Sequence, residues 1–165
     1  MILVILSLAG IGFFLSFVLM QPSRTRAILS AVLALLIILS IAGIAANDLH
    51  HYGFREAQIS ETKRLGTIQN QPVVGRMAIG QNEAFVYRYQ TADQDKPQVV
   101  KPSLTTTTKL VRGNQAQIKT TTTRLQYRNN WSEFLFWGSG QDGQLVSRTV
   151  TLTVPDSWKI VDMKK

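Results

Sequence analysis

Residues Met1–Ala46 read MILVILSLAGIGFFLSFVLM, QPSRTR, AILSAVLALLIILSIAGIAA, and this stretch decides the architecture. Met1–Met20 and Ala27–Ala46 are each 20 residues long and carry no charged side chain. At ~1.5 Å of rise per residue, each is long enough as a helix to cross the ~30 Å hydrocarbon core of a bilayer. A helix on the surface of a soluble core would show a polar face with a period of 3.6 residues, and neither stretch does. The pattern predicts two membrane spans, over 1–20 and 27–46, joined as a tight hairpin by Gln21–Arg26. A cleaved signal peptide is disfavoured, because no basic residue precedes the first apolar run and Phe17-Val18-Leu19-Met20-Gln21-Pro22 offers no small-residue cleavage site.

In lipid, two such helices gain little from apolar burial and must associate through close contact of small residues. Gly12 and Ser16 on the first span, with Ser30 and Ala34 on the second, have the i, i+4 spacing such a contact needs. No Asp, Glu, Lys, Arg or His lies inside either span, so a pump or transporter acting alone is not expected. Arg24 and Arg26 are the topology determinants: cytoplasmic turns are enriched in basic residues, which places the turn inside and the C-terminal domain outside. His50, His51 and Tyr52, just beyond the second span, are expected as interfacial anchors at the headgroup level.

From Asn47 onward the chain changes character. It holds all ten acidic residues and all but two of the 18 basic ones, a net charge of +6 out of the total +8. It has no cysteine, hence no disulfide framework and no thiolate chemistry. Glu83–Tyr89 alternates, with Phe85, Tyr87 and Tyr89 on one face, after a turn-like Gly80-Gln81-Asn82. Ser132–Trp137 reads as a short apolar strand between Asn129-Asn130 and Gly138. Gln144–Val154 puts Val146, Arg148, Val150, Leu152 and Val154 on one face and stops at Pro155. Arg55–Leu65 suits a short helix or a strand. The run TTTTKLVRGNQAQIKTTTT, Thr105–Thr123, reads as a β-hairpin about Gly113-Asn114, with Leu110 opposite Ile118, threonines opposite threonines and Lys109 opposite Lys119. The expected fold is a membrane-anchored α+β chain: a two-helix transmembrane hairpin (1–46), then a small antiparallel β-sandwich or barrel-like domain (47–165).

Catalytic signatures are weak. Gly138–Gly143, GSGQDG, matches the letters of a dinucleotide loop, but a Val- and Thr-rich strand follows it where a phosphate-holding helix is required, so the six residues read as a hairpin loop. His50 and His51 are adjacent, and neighbouring side chains diverge too far to share one metal. No nucleophile turn or paired carboxylate is marked. Trp131, Phe134, Phe136 and Trp137 form the densest aromatic group, read either as core or as a stacking surface. A candidate binding surface therefore comprises Trp131, Phe134, Trp137, Lys109 and Lys119. No cofactor, metal or nucleic acid is expected. On the outer face of a membrane the excess of basic residues would suit anionic headgroups or wall polymers. These residues are scattered rather than clustered, however, and an ordinary solvated surface is the first reading.

Three features carry a resemblance to a known family: the two-span start, the junction Asn47-Asp48-Leu49-His50-His51-Tyr52-Gly53, and the segment Tyr127–Phe136 (YRNNWSEFLF). The closing Leu145-Val146 and Val154-Pro155-Asp156-Ser157-Trp158 belong with them. With these the chain resembles an uncharacterised two-pass membrane-protein family of lactobacilli, catalogued as domain of unknown function 4811. The resemblance implies two membrane helices, a β-rich exported domain and a setting near multidrug efflux transporters; it implies no catalytic or binding residues. The expected function is that of a non-enzymatic envelope adaptor or binding module in the cell membrane. Its partners would be the bilayer and a membrane protein or anionic envelope polymer. The alternative is a hydrolase or transferase acting on envelope glycans through the Trp131–Trp137 aromatic group.

Overall fold

The computed structural model describes residues 1–80, 84–94 and 96–163. The chain forms two compact units, both discontinuous: Met1–Arg55 with Leu125–Gln144, and Glu56–Arg124 with Leu145–Lys165. Residues Leu125–Gln144, expected within the β domain, thus belong to the helical unit.

In the first unit, α1 (Ile2–Leu19) and α2 (Arg24–His50) form an antiparallel hairpin, and both are long and apolar enough to cross a membrane. The chain turns because Ser23 caps α2, accepting from the Arg26 backbone N–H, while the Arg26 side chain donates back to the Met20 carbonyl at 3.2 Å. Contact follows the small residues. Ser16 is buried and its hydroxyl lies 3.0 Å from that of Ser30. Gly12 admits the Leu33 side chain, which a Cβ there would meet at 3.4 Å. α2 runs past the apolar stretch and ends where His51 takes a left-handed conformation (φ 49°) and donates its backbone N–H to the Asn47 carbonyl.

Ser132–Trp137 is not a strand. It lies in a helix, α3 (Asn130–Phe136), because Asn129 caps it: its Oδ1 accepts from the Ser132 backbone N–H at 2.8 Å and from the Ser132 hydroxyl at 2.9 Å. Glu133 in the first turn suits the positive helix end, and Gly138 (φ 82°) releases the chain afterwards. Gly138–Gly143 is accordingly a helix-to-strand loop, not a hairpin loop.

The second unit holds one mixed sheet of eight strands, ordered β5-β7-β6-β1-β3-β2-β8 with β4 beside β3. In chain order they are β1 (Phe54–Gly66), β2 (Val73–Ile79), β3 (Ala84–Thr91), β4 (Gln98–Val100), β5 (Thr106–Arg112), β6 (Gln117–Tyr127), β7 (Leu145–Val154) and β8 (Lys159–Asp162). β1 thus settles Arg55–Leu65 as strand. The sheet is not purely antiparallel, because β5 pairs β7 and β2 pairs β8 in parallel. It is also not closed, although the Thr108 hydroxyl on β5 donates to the Phe85 carbonyl on β3 at 2.8 Å. The core contains Val74, Tyr87, Tyr89, Ile118, Val150, Leu152, Val154 and Trp158. Phe85 packs against it, so the β3 face read from alternation is the inner one. Glu83 and most of the preceding turn lie outside the described residues.

The threonine stretch is not a hairpin. β7 inserts between β5 and β6, parallel to the first and antiparallel to the second, so the rows run Leu110–Leu152–Ile118 and Lys109–Thr151–Lys119. With strands ~4.8 Å apart, the two lysines sit about two strand spacings from each other instead of face to face, which relieves the like-charge cost of a direct pairing. Gly113 does not make a turn of the hairpin type. It carries the backbone across the end of β7, donating its N–H to the Val154 carbonyl, and a Cβ there would come within 2.6 Å of Thr153 Cγ2. Arg112 closes this end by donating to the Pro155 and Trp158 carbonyls at 2.8 and 3.0 Å.

Candidate membrane-interface site

A seven-residue helix cannot hold itself together, so α3 depends on what its inner face touches. Ser132 and Phe136, four residues apart, face inward and are buried. The Phe136 ring lies 6.0 Å from the Phe54 ring, which in turn lies 5.0 Å from Tyr127, and Leu125 completes this small core. Gly53 is part of the fit: a Cβ there would stand 2.2 Å from the Phe136 ring. The other face is left open. Trp131, Phe134 and Trp137 are 73%, 51% and 64% exposed, and Trp131 meets Phe134 edge-on at 6.2 Å.

The location of α3 gives that exposure meaning. Its last carbonyls, those of Leu135 and of Trp137 beyond it, accept from the Met1 amino group at 2.9 and 3.4 Å. The helix is therefore seated at the end of the apolar hairpin where α1 starts and α2 finishes. A groove of about 400 Å³ runs from Leu36 and Leu39 on α2, past Ser40 and Gly43, to Tyr52 and Trp131. Trp and Tyr rings at the end of an apolar helical hairpin are of the kind that makes up the aromatic belt of membrane proteins.

Asn47 is the most unusual polar group here. It is 6% exposed, its Nδ2 donates to Gln141 Oε1 at 2.6 Å, and its Oδ1 has no partner among the described residues. Leaving such an acceptor unmet costs on the order of 1–3 kcal/mol. It lines a second cavity of about 240 Å³, whose walls include Ile2, Val4, Ile44, Leu135 and Phe136. The phenol of Tyr127 titrates above its ordinary value, first because of desolvation and then because of the carboxylates of Asp142 and Glu133.

The structure brings Trp131 and Phe134 on α3 together with Trp137 just beyond it as an open surface rather than a core. Lys109 and Lys119 belong to the other unit, where they share a row with Thr151. Arg24 and Arg26 start α2; the Arg26 guanidinium lies 4.8 Å from the Phe17 ring centre. His50 ends α2, His51 caps it and Tyr52 is 67% exposed. Among the described residues no three His, Asp or Glu side chains gather in a way that could hold a metal ion. Sequence reasoning missed Gly53, Asn47 and Gln141, whose roles depend on partners distant in the chain. The cap at Asn129, three residues before Ser132, was a local signal that could have revealed α3.

Comparison with known proteins gives one family. Residues 23–165 match the family model described as Domain of unknown function (DUF4811). No curated protein and no solved structure matches the chain.

Proposed function

The chain belongs to the DUF4811 family, and from that premise we propose a membrane-anchored, non-enzymatic module of the cell envelope. In this reading α1 and α2 span the bilayer with Arg24 and Arg26 on the cytoplasmic side, α3 lies in the outer interface, and the sheet is presented outside. The carrying observation is the set of exposed aromatics, Trp131 and Phe134 on α3 and Trp137 directly after it, at the end of an apolar helical hairpin. Water would penalise that surface, and an interface favours it. Beyond the membrane, the excess of basic residues supports a role for the sheet, Lys109 and Lys119 included, in contact with a membrane protein or an anionic envelope polymer. An accessory subunit of a transporter is a special case of this role.

Two measurements test it. Bromine placed shallow in lipid chains should quench Trp131 and Trp137 fluorescence more than bromine placed deep; equal quenching, or none, removes α3 from the interface. Protease added to intact cells should degrade the sheet, and protection of residues beyond Asn47 while an external control tag is cut would reverse the orientation. Purification in mild detergent then asks what partner accompanies the chain.

One observation favours the enzymatic alternative. Phe134 and Trp137 line an open groove of about 330 Å³ together with Glu133. Glycoside hydrolysis generally uses two carboxylates, and Glu133 is the one carboxylate on this wall among the described residues. Loss of a glycan-cleaving activity in Glu133→Gln would establish that reading.

A further inference from the structure

We propose that the outer face of the sheet across β1, β6, β7 and β5 binds a phosphodiester-linked polyol chain. This rests on reading the sheet as a module for an anionic envelope polymer and names that polymer's chemistry. The insertion of β7 aligns residues distant in sequence into rows on the side turned away from the core. Lys109–Thr151–Lys119 is one such row, a single residue off the core row Leu110–Leu152–Ile118 and therefore on the opposite face. Thr107–Thr149–Thr121 is the next, and Ser60 on β1 extends it, its hydroxyl 3.1 Å from that of Thr121. Leu65 donates its backbone N–H to the Ala116 carbonyl, and both side chains face the core, so Arg64 stands beside Gln117 on the outer face.

Basic residues that look scattered in the sequence thus converge. Arg64, Lys109 and Lys119 are exposed and make no ion pair among the described residues. From strand spacing and rise, Arg64 lies roughly 8 Å from Lys119, which lies roughly 9–10 Å from Lys109. No carboxylate and no aromatic ring stands in these rows. Glu61 is on the other face, where it pairs with Lys63 at 3.2 Å. Glu56, on the same side as Ser60, is four residues away toward the far end of β1.

That composition selects the ligand. Three unpaired cations call for an anion with several charges, and Lys and Arg both bind phosphate strongly. Ser and Thr hydroxyls each donate and accept, which matches the hydroxyls of a polyol lying between its phosphates. Single-stranded nucleic acids draw on aromatic stacking, as sugar rings often do, and this face offers none. An acyclic polyol phosphate needs only charge and hydroxyls, and both are present.

The test titrates the full chain, in nonionic detergent, into end-labelled poly(glycerol phosphate), poly(glutamate) and poly(dT) of equal charge number, read by fluorescence anisotropy. The polyol phosphate should bind about tenfold tighter than either. Its log affinity should fall with log salt at a slope of about −2, since three cations contribute ~0.7 each on a single-stranded phosphodiester. Arg64→Gln with Lys109→Gln and Lys119→Gln should flatten the slope toward zero. Lys101→Gln with Arg148→Gln and Lys159→Gln, which removes equal charge outside these rows, should leave it unchanged. Thr121→Val with Thr149→Val should erase the preference over poly(glutamate) and keep the slope; if it fails to fold, the exposed charge variants decide. Glycerophosphoglycerol, a single repeat, should compete only at far higher phosphate concentration. Equal loss in the two triple variants, tighter binding of poly(dT), or competition by the single repeat as effective as by the polymer overturns the proposal. If poly(glutamate) binds as tightly as the polyol phosphate, the anionic-polymer reading stands and this inference falls; if no polyanion binds, both fall.

Discussion

Gly53 and Phe136 are in contact so close that any side chain at position 53 would force the ring to move: a Cβ at Gly53 would fall 2.2 Å from the Phe136 ring, well inside van der Waals contact. The contact joins the segment after α2 to the inner face of α3. Gly53→Ala should displace Phe136 and destabilise the helical unit by about 1–3 kcal/mol, the usual cost of overpacking. Thermal unfolding in detergent, followed by tryptophan fluorescence, measures it. An unchanged transition would mean that α3 is not docked through Phe136.

Ser16 and Ser30 mark a close approach of α1 and α2, their hydroxyls 3.0 Å apart. Because the chain has no cysteine, Ser16→Cys combined with Ser30→Cys gives a background-free cross-link. A disulfide should form readily under mild oxidation, whereas Ser16→Cys with Ile28→Cys, exposed on the helix surface, should not. Equal yields from both pairs would contradict the packing.

The insertion of β7 is tested by a pair of double substitutions. In a direct hairpin Lys109→Cys and Lys119→Cys would face each other. In the observed order they stand about two strand spacings apart, roughly 9–10 Å, beyond the ~7 Å that a disulfide spans. Lys119→Cys with Thr151→Cys, on adjacent strands, should cross-link instead.

Arg76 and Asp162 form a surface pair at 2.9 Å across the parallel β2–β8 pairing. The hydrogen bond from Arg76 holds the Asp162 carboxyl below its ordinary value of 3.8. A lowered carboxylate pKa contributes stability that is present above the unfolded pKa and is lost as the pH falls through the folded one. The difference in melting temperature between the parent chain and Asp162→Asn should therefore be small but measurable at pH 7 and vanish in acid below the ordinary carboxylate range. High salt should also reduce it, since both side chains are exposed. A difference that grew on acidification would refute the assignment.

The helical hairpin was legible because each span is a local property: 20 uncharged residues and a basic turn need no partner to be recognised. The same holds for the β7 face, where Val150, Leu152 and Val154 alternate and are buried. The site was half legible. The aromatic cluster stood out by composition, but its exposure depended on whether Ser132–Trp137 was strand or helix, and a strand would have given Trp131 and Phe134 opposite faces.

The linear order of residues determined by itself the pair of apolar spans, their small-residue contacts and the strand-forming character of most of the chain beyond Asn47. Hydrophobicity, charge and β-branching act within a few residues of one another, so they survive without a fold. Strand order, the docking of α3 and the isolation of Asn47 were decided only in three dimensions. Thr106–Arg112 and Gln117–Tyr127 have the composition of a hairpin, yet both pair with β7, whose fully buried Leu152 lies between Leu110 and Ile118 and comes 34 residues further along the chain than Ile118. Pairing over such separations is driven by shared burial, a property of the assembled core that no short window of sequence contains.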